Sequence, residues 1–533
     1  MIRHILKKDW TLLWPMVALV TAIQAGREWV VQSGGLFQDN PASIALLRPL
    51  TLAWFAGIAA VAAAVVHQDA IPGVDQDWLI RPLKRSDLLL AKVVFAVTAI
   101  AAPMFVLNLA HALSLGFPFV PSFGAAVYKE VFVCASFVVP MLALAATTRN
   151  MTELTVFGAA LIVVYAVSTG LSAFLLGADW CPTCDTGVSW QEHWLQHAGT
   201  FAGAVVVLAL QYHRRRTAIA RAVVVAGAVA LACVQVPWNT AFALQGWLSG
   251  STQVETPIEL VLEREAPSAA GTSGAPDARV GARQATQALL RGDVARAGEY
   301  LRHRAAQGMA PANLDFSLRI TGASPGELIL LDRAETHFFS GDGRLLYRGL
   351  NPGGSPGVIS GYRTDPAAAP ELIHQKVDVP ARASLQHPAR LRLDYSLTRV
   401  QKVAEHRLFA LGDEFRSADA GLCAAKLDQD VVSVRCKSIE QPPFCYSATV
   451  YAADGRHNPE ILKCTPDYRR HMPAATEILY FYGIDLPVHD RFGLIHYALG
   501  VADLQNCYVL LKIYGKPLHF KRTLAVSALP EAT

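Results

Sequence analysis

The chain has 533 residues, 52% of them apolar and 17% charged, with a formal net charge of +4. So mild a charge gives no sign of a chain built to bind nucleic acid, and none is expected as a partner. The positive mean hydropathy averages two regimes, an apolar N-terminal half and a more ordinary C-terminal half.

Reading from the N-terminus, seven apolar stretches approach the roughly 20 helical residues needed to cross about 30 Å of hydrocarbon. They are 10–26, 45–67, 91–113, 131–148, 154–178, 196–212 and 222–244. The fifth contains no charged residue, and the sixth is the weakest, confined between His197 and His213. One such run also suits a buried helix of a large soluble core, but seven in succession predict a polytopic membrane domain. Charged groups inside the stretches are scarce, so no proton or ion relay is expected there. Asn108 and His111 read as interface residues at the outer end of the third.

Lys and Arg near the stretch ends set the orientation. With the N-terminus in the cytoplasm, Arg3, Lys7, Lys8, Arg81, Lys84, Arg85, Lys92, Arg149, Arg214, Arg215, Arg216 and Arg221 lie inside. The short outer loops then hold only Arg27, Arg48 and Lys129. The basic run 214–216 is read as attraction to anionic lipid. An odd number of crossings exports the rest of the chain, to the periplasm where the cell has two membranes. The expected location is therefore a bacterial inner membrane. Arg3, Lys7 and Lys8 before an apolar run also fit a signal peptide. An uncleaved first helix is preferred, because the charge pattern continues in phase with it.

The loop between the second and third stretches carries Trp78, Leu79, Arg81, Pro82, Lys84 and Arg85, then Leu88 and Lys92. Its apolar part is too short to span, which predicts an interfacial elbow with wet charges and inserted aromatic and aliphatic groups. Ser86 and Asp87 are placed to cap the next helix. In this wording (Trp-Leu-x-Arg-Pro-x-x-Arg-x-x-Leu-x-x-x-Lys) and in its basic N-terminus, the chain resembles ABC-2 type permease subunits of ATP-binding-cassette transporters, over about residues 1–240. The resemblance implies that the elbow docks on an ABC ATPase subunit, with the permease acting as a homo- or heterodimer in membrane lipid. No Gly-x-x-x-x-Gly-Lys-Ser/Thr loop occurs, so no cofactor is expected in this chain, and ATP would be hydrolysed by the partner. Family members usually have six spans with both ends inside; a seventh helix bearing a large outer domain departs from that pattern. Without coupling, the same loop is a lipid anchor and the chain a non-transporting membrane anchor that presents an outer binding or assembly module.

Between the fifth and sixth stretches, Cys181 and Cys184 precede His193 and His197. That set admits a structural disulfide, a tetrahedral zinc site or a redox pair, and the disulfide is preferred. Cys134 and Cys233 sit in apolar stretches. Cys423, Cys436, Cys445, Cys464 and Cys507 fall in the exported part, where disulfides form, and their odd number leaves at least one over.

Overall the expectation is a permease-like transmembrane domain (1–248), a strand and linker (249–278), and an extracytoplasmic β-rich domain (279–533) of sandwich type with a helix at 279–307. Strands are predicted at 254–264, 314–321, 327–340, 345–349, 391–400, 430–436, 445–452, 477–482 and 506–514. Gly353-Gly-Ser355-Pro-Gly357 has the wording of a nucleophile elbow, but Pro356 lacks the N–H an oxyanion hole needs, so no enzyme is expected.

Overall fold

A computed structural model of the chain describes residues 2–33, 35–37, 41–68, 85–176, 190–234, 236, 238–248, 258–262, 312–324, 326–339, 343–352, 373–379, 390–409, 414–428, 431–439, 441–458, 460–464, 479–487, 499 and 507–526. The N-terminal half is helical: α1 (Ile2–Ser33), α2 (Pro41–His67), α3 (Arg85–Ser114), α4 (Phe119–Val133), α5 (Val139–Ala146), α6 (Met151–Leu176), α7 (Trp190–Ala209), α8 (Thr217–Ala232) and α9 (Trp238–Leu248). A π-turn, Cys134–Val138, joins α4 and α5 into one 28-residue rod. It lies one turn before Pro140, whose missing N–H and ring disturb the ladder behind it. A second π-turn, Leu210–Arg214, ends α7 at Arg215 in the left-handed region.

Among the described residues, five helices are long and apolar enough to cross a membrane: Ala45–His67, Ser86–Ser114, Phe119–Ala146, Met151–Ser172 and Trp190–Arg214. Five of the expected spans are matched by these helices, and the first and seventh are not among them. The first lies in α1, a 32-residue helix that also carries Asp9, Gln24, Arg27 and Glu28. The seventh, 222–244, is not one helix. α8 stops after 16 residues, about 24 Å of rise, and α9 starts afresh at Trp238. Pro237 separates them in sequence, and a proline disfavours helix in the residue before it.

The helical core is built around α2, whose Trp54, Ile58, Val61 and Ala62 are fully buried with Val17, Val20, Phe95 and Leu142 of its neighbours. Gly57 permits the closest approach: a Cβ there would lie 2.7 Å from Val20 Cγ2. Any larger residue at 57 pushes α1 away from α2.

All the strand pairings are antiparallel. The strands are β1 (Glu259–Leu262), β2 (Ala312–Thr321), β3 (Glu327–Phe339), β4 (Leu345–Pro352), β5 (Ile373–Val379), β6 (Arg390–Phe409), β7 (Glu414–Ser417), β8 (Gly421–Asp428), β9 (Val431–Ser438), β10 (Cys445–Tyr451), β11 (Ile461–Cys464), β12 (Tyr480–Pro487) and β13 (Tyr508–Val526). They form a six-stranded sheet in the order β11-β10-β13-β6-β3-β4, a four-stranded sheet β12-β9-β8-β7 and a three-stranded sheet β1-β2-β5. The first two face each other across one core of Val432, Val434, Tyr446, Ala448, Val450, Ile484, Val509 and Leu511. Alternation along β9 produces it: Val432 and Val434 point in while their neighbours are partly exposed. These antiparallel sheets are the β-rich C-terminal region expected from the sequence. The expected helix at 279–307 and the segment 263–278 lie outside the described residues.

The sandwich sits at one end of the helices. Arg416 donates from Nη1 to the Gly116 carbonyl at 2.7 Å, and Leu422, Ala424, Ile439 and Leu479 pack with Leu36, Ala112 and Phe117. Gly116 has φ +76, a backbone conformation that favours glycine, and a Cβ there would displace the Arg416 guanidinium from its present position. At the other end of the α4–α5 rod, Arg221 of α8 donates to the Thr147 carbonyl at 2.8 Å and pairs with Glu153. The rod spans about 42 Å at 1.5 Å per residue, so Arg149, Arg215, Arg216 and the sandwich lie at opposite ends.

Candidate functional site

Two buried polar assemblies sit inside the helical half, where no relay was expected. Near the end away from the sandwich, Lys92 Nζ of α3 donates to both carboxylate oxygens of Asp9 of α1, each at 3.0 Å. Both side chains are almost fully enclosed, at 2% and 0% exposure. Leu88, one turn earlier on α3, is buried in the same helical core, and Trp10 meets Phe95 edge-on at 6.2 Å. The last two residues of the elbow wording, Leu88 and Lys92, therefore hold α3 against the core, and Lys92 pairs α3 with α1. Arg85 opens α3, whereas Trp78, Leu79, Arg81, Pro82 and Lys84 lie outside the described residues.

Toward the sandwich, a second assembly links α1, α3 and α4. On α1, Gln24 Nε2 donates to Glu28 Oε1 at 2.7 Å, Arg27 pairs with the same carboxylate, and the Arg27 guanidinium lies over Trp54 at 5.5 Å. Across from it, Asn108 of α3 bridges two residues of α4: its Nδ2 donates to Glu130 Oε1 at 2.9 Å, and Lys129 Nζ donates to its Oδ1 at 3.0 Å. His111 lies within electrostatic reach of Arg27, Glu28 and Lys129, and also of Lys437 on β9. Arg27 with Glu28 and Lys129 with Glu130 balance formally, as buried charges in an apolar medium must. Glu130 Oε2 and His111 Nε2 are buried without a hydrogen-bond partner among the described residues.

The expectation of charge-poor spans is thus corrected, and so is the reading of Asn108 as an interface residue, since it is 1% exposed. The physical reason is that the helices outrun their apolar windows. Asp9, Arg27 and Glu28 fall just outside 10–26, and Lys129 and Glu130 just outside 131–148, so each looked like a loop charge. Their spacing held one usable signal. Gln24, Arg27 and Glu28 share one helix face at i, i+3 and i+4.

A third junction ties the helices to the sheets through α9. Trp238 Nε1 donates to Ser396 Oγ of β6 at 3.2 Å, with Arg333 over its ring at 5.1 Å. His519 of β13 lies 2.7 Å (Nδ1) from Thr398 Oγ1 and 3.1 Å (Nε2) from Gln245 Nε2 of α9. Thr398 donates to Asp332 Oδ2 at 2.6 Å and so accepts from His519 Nδ1, while Nε2 accepts from Gln245. That pattern fixes the neutral Nδ1–H tautomer. Gln191 Nε2 of α7 donates to the Ala241 carbonyl at 2.7 Å, extending the chain of contacts into the membrane helices.

Two disulfides stand in the β region, Cys423–Cys436 and Cys445–Cys464, each joining directly opposed residues of neighbouring strands. Cys507 is the thiol left over there; it is buried, and burial raises its pKa, so it is a poor nucleophile. Cys181 and Cys184 lie outside the described residues. His193 and His197 are on α7, where the His197 ring meets Phe132 at 5.0 Å. Among the described residues no group of three or more His, Cys, Asp or Glu is placed to hold a metal.

No family model, no curated protein and no solved structure matches the chain.

Proposed function

We propose that the chain is the membrane-embedded, permease-like subunit of an ABC-2 type transporter, worked by a separate ATPase. The observation that carries this reading is the buried Lys92–Asp9 pair. It links the helix that leaves the elbow to α1, so a push on residues 68–92 moves two helices together. The ATPase would dock on Trp78, Leu79, Arg81, Pro82, Lys84 and Arg85 and hydrolyse ATP there, while this chain supplies the moving helices, as one half of a homo- or heterodimer. The α9 junction would carry the same motion into the sandwich.

The test is to change Arg81→Glu and Arg85→Glu together and purify the protein in mild detergent. The ATPase is expected to be lost from the preparation while membrane insertion is unchanged. Undiminished co-purification would overturn the coupling role and favour a plain anchor.

The orientation belongs to the same proposal: N-terminus and basic loops in the cytoplasm, sandwich outside a bacterial inner membrane. Its support is the position of Arg149, Arg215 and Arg216 at the end of the helices opposite the sandwich, together with two disulfides in the sandwich. A C-terminal alkaline phosphatase fusion is expected to be active and a C-terminal fluorescent fusion dark. The reverse result would invert the map.

A further inference from the structure

Between α5, α6, α7 and α8 lies a cavity of about 420 Å³, within the size range of small-molecule pockets. It is long rather than round. Leu144 lines it two residues before the end of α5, and Gln196 lines it six residues after the start of α7. Its lining runs from Gln196 to Val207 on α7 and from Val223 to Leu231 on α8, about 16 Å and about 12 Å along the helix axes at 1.5 Å per residue. Its character changes along that length. Leu144 and Val223 form the apolar end, while Tyr165 and Gln196 stand toward the other. The Gln196 amide donates to the Leu231 carbonyl at 3.4 Å, leaving its Oε1 to accept from a guest.

The hollow is built by absent side chains. A Cβ added to Gly203 or Gly227 meets nothing within 4 Å. One wall is α6, whose apolar window is only 6% buried, so the cavity adjoins the surface that faces the surrounding hydrocarbon. Apolar cavities exclude water, and the medium around these helices supplies one filler of matching character, the acyl chain.

We infer that this cavity is a binding site for an amphiphile with one long acyl chain, its tail along Val207 and Val223 and its hydrogen-bonding head at Gln196 and Tyr165. The site goes beyond the transport reading and stands whether or not an ATPase drives the chain.

The test uses the full-length protein in phosphatidylcholine nanodiscs with a trace of palmitic acid bearing a mid-chain diazirine. After photolysis, label is expected on α5, α7 and α8 peptides around Met141, Val207 and Val223. Gly203→Leu combined with Gly227→Leu fills the space and is expected to cut that label at least fivefold. Gly158→Leu, which adds the same bulk on α6 away from the cavity, leaves it unchanged. If the double variant does not accumulate, Gly203→Leu alone carries the test with an expected loss of at least twofold. Equal labelling of variant and parent would mean annular lipid only and would overturn the site. So would label confined to α6, or cross-links showing that a helix of a second copy fills the space.

Discussion

Replacing Asp9 by alanine is expected to destabilise the helical half by about 3–5 kcal/mol, the cost of leaving one buried charge without its partner. The Lys92 side chain is 2% exposed and donates to both oxygens of that carboxylate, so the substitution removes two charge-assisted bonds from an enclosed ammonium. The full chain in detergent should then unfold several degrees lower. Asp9→Leu combined with Lys92→Met removes both charges at similar volume and should recover most of the loss. The double variant also separates stability from coupling. It is expected to fold, but α3 loses its buried ion pair to α1, so stimulation of a partner ATPase is expected to fall while the Tm stays near the parent's. A double variant as unstable as Asp9→Ala would show that the pair's worth is not electrostatic.

Removing the disulfides is expected to cost about 3 kcal/mol each, from the chain entropy released by loops of 13 and 19 residues. The two losses should differ in where they are felt. Cys423–Cys436 joins β8 and β9, both interior to their sheet, where β9 also pairs with β12 along its whole length. Cys445–Cys464 holds β11, a four-residue edge strand paired only with β10. Cys445→Ala with Cys464→Ala should therefore raise amide exchange first at 461–464. Cys423→Ala with Cys436→Ala should lower the global unfolding temperature with little local fraying. Indistinguishable exchange maps for the two variants would contradict this division.

β3, β9 and β10 start and end within about two residues of their predicted limits, β9 through a partly exposed and a buried face, and β10, buried on both faces, through its apolar and aromatic content and bounding turn residues. β6 and β13 were seen only in part, because they pair with each other for nearly their whole length and their outer halves bear Arg, Lys and His. β8 was missed because Gly421, Ala424 and Ala425 give little hydrophobic signal, although Ala424 and Ala425 are buried. In the membrane half, apolar windows located helices but not their ends, so Asp9, Arg27, Glu28, Lys129 and Glu130 fell into supposed loops, and only Lys92 lay inside a window. The break between α8 and α9 was invisible to hydropathy, which does not register what a proline does to the backbone before it.

The pairing of β6 with β13 has a mechanical side. At about 3.3 Å per residue, the 20 residues of β6 make a spar of about 66 Å, longer than a bilayer's hydrocarbon is thick. Ser396, Thr398 and His519 lie on the length gripped by α9, and Leu408, Val509 and Leu511 on the length locked into the sandwich. Between them the register slips from Gly515 to Leu518, and Lys516 takes φ +52, a left-handed turn of backbone outside any glycine. The spar is two beams spliced at a joint. Any tilt imparted by the membrane helices through α9 reaches the outer beam only as far as that splice resists bending, so its compliance sets the gearing between the two halves of the molecule.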